Sequence, residues 1–226
     1  MVGSHTDENS NLIYDGAVLF PNVRLGHNVT IFPGAVIGRP PLSTGATTRQ
    51  VQVADLLPVE ISDHCVIGAN AVIYMGVKIG HHSMIGDTAR IRENVEIGDY
   101  SLVAMGVTVS FNVKIGDRVK IMDNATIAGN TLIEDGAFVG PQVGIANDSK
   151  MGRTPPDIHD WTERGATIRR FAAIGQCACI LPGIEIGENA IVGTNAVVTK
   201  DVRAGILVTG MPARFVRTLA EDELRR

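Results

Sequence analysis

The chain has 226 residues, 45% of them hydrophobic but only 4% aromatic, and 25 glycines. That balance excludes an ordinary core filled by Phe, Tyr and Trp and favours a repeat built from stacked aliphatic side chains. A net charge of −4 excludes bulk electrostatic attraction to nucleic acid or to an anionic membrane. Cys65, Cys177 and Cys179 are too few and too scattered for a disulfide framework and fit a reducing compartment. Apolar runs are short and the start, MVGSHTDENSNL, lacks a signal pattern, so the expected location is cytoplasmic, with no membrane and no nucleic-acid partner.

In chain order, an aliphatic residue recurs at every sixth position: Ile13, Leu19, Leu25, Ile31 and Ile37, then without a break from Ile61 through Ile67 and Ile73 to Ile145, and again from Ile168 to Val198. Period six is neither a helix nor a hairpin alternation. Four residues after each anchor the side chain is small or β-branched, as at Ala71, Val77, Ser83 and Ala89. Three residues after it Gly or Asn recurs, as at Asn22, Asn28, Gly34, Asn70, Gly76, Asn94, Asn112 and Asn130. Gly and Asn tolerate positive φ, so this column predicts a sharp corner in every hexad. Gly follows the anchor at Gly68, Gly80, Gly86, Gly98 and Gly116, but every third hexad carries Tyr74, Arg92, Ser110 or Ala128 instead. Three hexads per turn make a triangular coil, each coil resting on the last at about 4.8 Å. The predicted class is therefore an all-β solenoid whose anchors form three inward ladders and whose open ends need caps.

Two interruptions and a tail break the rhythm. The first, 39–60, holds a Pro pair and polar turn residues and reads as a protruding loop. The second, 146–167, begins after Ile145 and gathers Lys150, Arg153, Asp157, His159, Asp160, the only Trp, Glu163 and Arg164. Long loops on a regular scaffold are where function concentrates. The solenoid is expected over 1–212, and 213–226 reads as a short, weakly amphipathic helix capping the last coil.

The repeat of Ile, Leu or Val followed by Gly, with a small residue three positions further on, resembles that of the hexapeptide-repeat acyltransferases. The resemblance implies a left-handed parallel β-helix, a homotrimer, and acyl-CoA lying along the groove between neighbouring β-helices. Glu134, Asp135, Phe138, Gly140 and Pro141, followed by Asn147, are similar to a stretch of the nucleotide-linked amino-sugar N-acetyltransferases. In those enzymes the Asn binds the sugar amine, which implies the same place for Asn147. Acetyl-CoA would be the co-substrate and an amino sugar, linked to a nucleotide, the acceptor.

The reaction needs an aimed amine, a proton acceptor and a donor for the oxyanion. Asn147 can orient the amine through its carbonyl oxygen, and Asp148 or His159 can take the proton. Asn147 and Asp148 also read as a loop-entry turn, and His159 as a solvated loop histidine. For CoA, Lys200 and Arg214 lie in segments that resemble the family's C-terminal signature and are the phosphate-side candidates, with Arg169 and Arg170 next. Gly175 and Gly193 would let a ligand approach the backbone. Other readings stay open: a zinc protein like the γ-class carbonic anhydrases, suggested by His64 and His82 at one corner, an acyl-ACP O-acyltransferase of the lipid A type, or a non-catalytic scaffold. No metal ligand set is assigned.

Overall fold

The structure is a computed structural model and describes residues 3–42, 51, 53, 56–153 and 164–225. Each anchor lies in a short strand, and three successive strands, such as Val59–Ile61, Val66–Ile67 and Val72–Tyr74, make one coil. Stacked coils form sheets of 8, 12 and 9 strands, called here the first, second and third faces after those three strands. Ile79 pairs with both Ile61 and Ile97, so the columns stand on one another in the register that the 18-residue period predicts. The whole is a left-handed parallel β-helix of about 10 turns.

The anchors are the core. Ile67, Ile73, Ile85, Ile91, Ile121 and Ile127 have no exposed surface, and the small column between them, Ala71, Val77 and Ala89 included, is buried with them. Each such isoleucine contributes roughly 1.5–3 kcal/mol of transfer free energy. Small residues beside the ladders keep the triangular section narrow enough to fill. Where Gly follows an anchor, the next coil is close: a Cβ on Gly68 would stand 2.5 Å from the backbone nitrogen of Asp87.

Corners recur with positive φ as expected, but the column is broader than Gly and Asn. His64, Thr88, Tyr100, Arg118, Gln142, Phe171 and Cys177 occupy it at φ between 54° and 59°, whereas Asn22 does not join it. A left-handed backbone costs such residues about 1–2 kcal/mol each. At the corner between the first and second faces, stacking offsets part of that cost. The His64 and His82 rings lie 4.7 Å apart at 8°, His82 and Tyr100 4.8 Å apart at 8°, and the Arg118 guanidinium stands 5.6 Å from the Tyr100 ring centre. One coil rise brings successive rings into contact. The histidines therefore stack instead of converging, and among the described residues no group of three His, Cys, Asp or Glu could hold a metal.

Both ends of the second face are closed by a reversed strand. Ser4–Thr6 runs antiparallel to Leu12–Tyr14, and the buried Asn11 beneath it accepts the Val29 N–H at 2.7 Å while donating to the Gly26 carbonyl at 2.9 Å. At the other end the tail departs from expectation. Instead of a capping helix over 213–226, Arg214–Thr218 is a strand antiparallel to Ile206–Thr209, followed by one 3-10 turn, Glu221–Glu223. A helix of so few residues is marginal alone, whereas an open sheet edge offers a full row of backbone partners. Among the described residues no helix is long and apolar enough to cross a membrane.

Candidate active site at the loop-bearing corner

Both excursions leave from the corner between the third and first faces. The first departs after Val36–Arg39 and rejoins at Val59–Ile61; the second departs after Gly144–Ile145 and rejoins at Thr167–Ile168. Five strand spacings separate them along the third face, about 24 Å.

In the regular coils this corner is held by backbone bonds from one coil to the next, Asn112 N–H to the Glu93 carbonyl and Asn130 N–H to the Phe111 carbonyl, each 3.1 Å. Side-chain amides add a ladder, from Asn94 Nδ2 to Asn112 Oδ1 at 3.4 Å and from Asn112 Nδ2 to Asn130 Oδ1 at 3.2 Å. Where the chain leaves, a side chain takes over: Asn147 Nδ2 donates to the Gly129 carbonyl at 3.2 Å. The Asn147 carbonyl in turn accepts the Arg164 N–H at 3.0 Å, which ties the outgoing and returning limbs together. Asn147 is half-buried at that junction.

Asp148 turns the chain outward. Its carboxylate accepts the backbone N–H groups of Lys150 and Gly152, both at 2.7 Å, and these bonds hold it below the usual carboxylate range. A carboxylate so stabilised is a weaker base, so the geometry gives Asp148 the turn-forming role. His159 lies outside the described residues. Lys150 and Arg153 are exposed on the outgoing limb, and Arg164 on the returning one.

The motif residues near Asn147 do structural work. Asp135 Oδ1 accepts the Asp117 N–H at 3.0 Å, continuing a series in which Asp117 accepts from Asp99 and Asp99 from His81. Glu134 bonds Arg169 at 2.8 Å, and Arg169 bonds Glu185 at 2.8 Å, which lowers the Glu185 carboxyl and raises the guanidinium. Arg169 is thus committed within the fold, while the Arg170 guanidinium stands 5.3 Å from the Phe171 ring centre.

The CoA candidates sit on later coils. The space a side chain would take at Gly175 is filled by Thr194 N at 2.6 Å, and at Gly193 by Thr209 Oγ1 at 2.7 Å. These two glycines let coils stack rather than a ligand approach. Lys200 is exposed beyond Val197–Val198, and Arg214 is exposed at the start of the closing strand. Lys200 follows Val198 as Asn147 follows Ile145, at the same corner two coils further on, whereas Arg214 lies on the strand that closes the second face. Two residues escaped the sequence reading: Phe111 and Gly129, in the Asn147 column. A Cβ on Gly129 would stand 2.7 Å from the Phe111 ring. The 18-residue register from Asn147 through Gly129 to Phe111 is the signal that points to them.

A family profile described as bacterial transferase hexapeptide (six repeats) matches residues 76–110 and 112–147, and one described as hexapeptide repeat of succinyl-transferase matches 58–87 and 172–200. Among curated proteins, the chain is similar to a chloramphenicol acetyltransferase of Agrobacterium fabrum, 46% identical over 50 residues, which is 22% of this chain and 24% of the relative. A galactoside O-acetyltransferase of Escherichia coli is 26% identical over 92 residues, 38% of this chain and 45% of the relative. A tetrahydropyridine-dicarboxylate N-acetyltransferase of Staphylococcus aureus is 46% identical over 48 residues, 21% of this chain and 20% of the relative. The chain spans less than half the length of each of these curated relatives. Among solved structures, a UDP-N-acetylglucosamine acyltransferase from Campylobacter jejuni superposes with a TM-score of 0.72 at 19% identity, covering 93% of this chain and 79% of that one, a likeness of fold.

Proposed function

The chain belongs to the hexapeptide-repeat transferases, and on that premise we propose that it transfers an acetyl group from acetyl-CoA to the amine of a nucleotide-linked amino sugar. The observation that carries the reading is Asn147: a half-buried amide at the mouth of the second excursion, held by the Gly129 carbonyl. With Nδ2 given to Gly129, Oδ1 is the atom of this side chain able to accept from an amine and aim its lone pair at the thioester carbonyl. Attack forms the C–N bond, the CoA thiolate leaves, and the amine's surplus proton passes to a base. The proposed base is His159, since Asp148 is held ionised by its two turn bonds. Backbone N–H groups at a coil corner face the developing oxyanion.

Lys200 and Arg214 are proposed to meet the CoA phosphates, in a homotrimer whose groove runs between β-helices. Support for assembly comes from the second face, where Val66, Met84 and Leu102 point outward in one column and Met84 is 46% exposed. An apolar strip of this kind supports a contact between copies.

The test is a thiol-release assay with acetyl-CoA against nucleotide amino sugars and, in parallel, sugars that offer only hydroxyls. Acetylation of an amine, reduced about a hundredfold by Asn147→Ala in a trimer of unchanged melting temperature, is the expected result. Turnover with hydroxyl acceptors alone, or Asn147→Ala at the wild-type rate, would overturn the assignment. CoA should also raise the melting temperature.

A further inference from the structure

Resting on that acetyl-transfer reading, we infer that Arg164 holds the diphosphate of the acceptor's nucleotide while the sugar amine reaches Asn147. The second excursion brings these two residues side by side: the chain leaves at Asn147, whose carbonyl accepts the N–H of the returning Arg164 at 3.0 Å. The Arg164 carbonyl in turn accepts the Gly183 N–H at 3.0 Å. Its side chain takes the same direction, since a Cβ on Gly183 would stand 3.5 Å from Arg164 Cβ and 3.7 Å from its Cδ. The missing side chain at Gly183 is therefore what makes room for the arginine stem. Pro182 pairs in register with Lys200 and Asn147 stands one coil before it, so the stem lies on the far side of Asn147 from Phe111 and Gly129.

Charge and length together select the ligand. Among the described residues, Glu134 and Glu185 hold Arg169, while no carboxylate or aromatic ring is in contact with the Arg164 guanidinium. The two carboxylates nearest in the chain to Asn147 and Lys200 are turned to backbone: Asp148 accepts the Lys150 and Gly152 N–H groups, and Asp201 accepts the Glu185 N–H at 2.8 Å. Leu181, Gly183, Thr199 and Lys200 are exposed around Arg164, which is exposed itself, so its fork of donors faces open surface. Such a fork matches two oxygens of a phosphate. In a nucleotide-linked amino sugar the diphosphate begins one glycosidic oxygen from the ring that bears the amine, a separation on the scale of one coil rise, about 4.8 Å. Arg164 stands at that remove from Asn147. In acetyl-CoA the whole pantetheine arm lies between thioester and phosphates, which carries those phosphates past Arg164 toward Lys200. A free amino sugar has no diphosphate and gains nothing from Arg164.

The test separates the two phosphate-bearing substrates. For the best nucleotide amino sugar of the panel, Arg164→Ala should raise KM about tenfold, leave the acetyl-CoA KM unchanged, and shrink the preference over free glucosamine by the same factor. Arg164→Lys, which keeps the charge without the fork, should recover part of the loss. Lys200→Ala should do the reverse, raising the acetyl-CoA KM and not that of the sugar. An unchanged sugar KM in Arg164→Ala overturns the inference. So does a raised acetyl-CoA KM in its place, which moves the guanidinium to CoA. An equal loss with free glucosamine at a lowered melting temperature also overturns it, because Arg164 is then a clasp for the excursion. Calorimetric titration with UDP, dTDP and GDP in the presence of CoA reads the contact without catalysis. Binding of the tightest of the three, weakened about tenfold in Arg164→Ala, supports the assignment; equal binding to both proteins, or none to the wild type, refutes it. Absence of thiol release by the wild type with every sugar overturns the activity, a failure this titration reads separately.

Discussion

The first and second faces are built from the same hexads and differ in what they turn outward. On the first, Arg24, Glu60, Lys78, Glu96 and Lys114 stand in one column of alternating sign, with Arg24–Glu60 at 3.3 Å and Lys114–Glu96 at 3.7 Å. On the second, the corresponding column runs Thr30, Val66, Met84 and Leu102 before Lys120 and Phe138. The inward ladders are interchangeable, so the core does not require the difference. A charged column is content in water, whereas an apolar one leaves roughly 25 cal/mol per Å² unclaimed until something covers it. The contrast is why the second face, and not the first, is the one proposed for assembly.

The sharpest way to break this comparison is to charge the second face. If the proposed homotrimer forms through this face, Met84→Glu combined with Leu102→Glu should convert it to monomers in sedimentation and abolish thiol release, with circular dichroism unchanged. A trimer that survives both changes removes the second face from the interface. A smaller effect belongs to the return that closes this face. Arg217 and Glu223 bond at 2.6 Å and 2.7 Å, and this pair holds the Glu223 carboxyl down to about 2. A depressed carboxylate contributes its stability fully above its ordinary value near 4.5 and loses it as pH falls through about 2. Amide exchange of Leu219, whose N–H bonds the Gly205 carbonyl at 2.8 Å, should therefore stay protected from pH 6 to about 4.5 and quicken only below. Quickening already above pH 5 would mean that the pair does not hold the return. Smallest of all, Lys114→Ala on the first face should change stability by under about 0.5 kcal/mol and leave assembly intact. A large loss there would erase the distinction between the faces.

The solenoid was legible because its signal is redundant: a buried Ile every sixth residue, a small neighbour and a corner each repeat the same instruction. His64, Tyr100 and Arg118 at positive φ were less legible, since their corners are set by register and stacking rather than by residue type. The tail misled for the opposite reason. RFVRT is too short to declare a period, and its strand exists because Ile206–Thr209 offers an edge, information held elsewhere in the chain. At the site, the place of Asn147 was readable from its spacing after Ile145, but its bond to Gly129 was not. Gly175 and Gly193 read equally well as ligand clearance or coil clearance, and only the backbone of the following coil decides. Arg169 likewise looked available until Glu134 and Glu185 were seen to hold it.

The reversed strands at the two ends of the second face bear on how the molecule avoids its own kind. A stack of in-register parallel strands is a template onto which a further copy could add end to end, growing into a filament. Ser4–Thr6 and Arg214–Thr218 present the wrong polarity for that addition, every residue of both is exposed to solvent, and the latter carries two arginines. They act as stoppers that keep a fibre-like architecture finite.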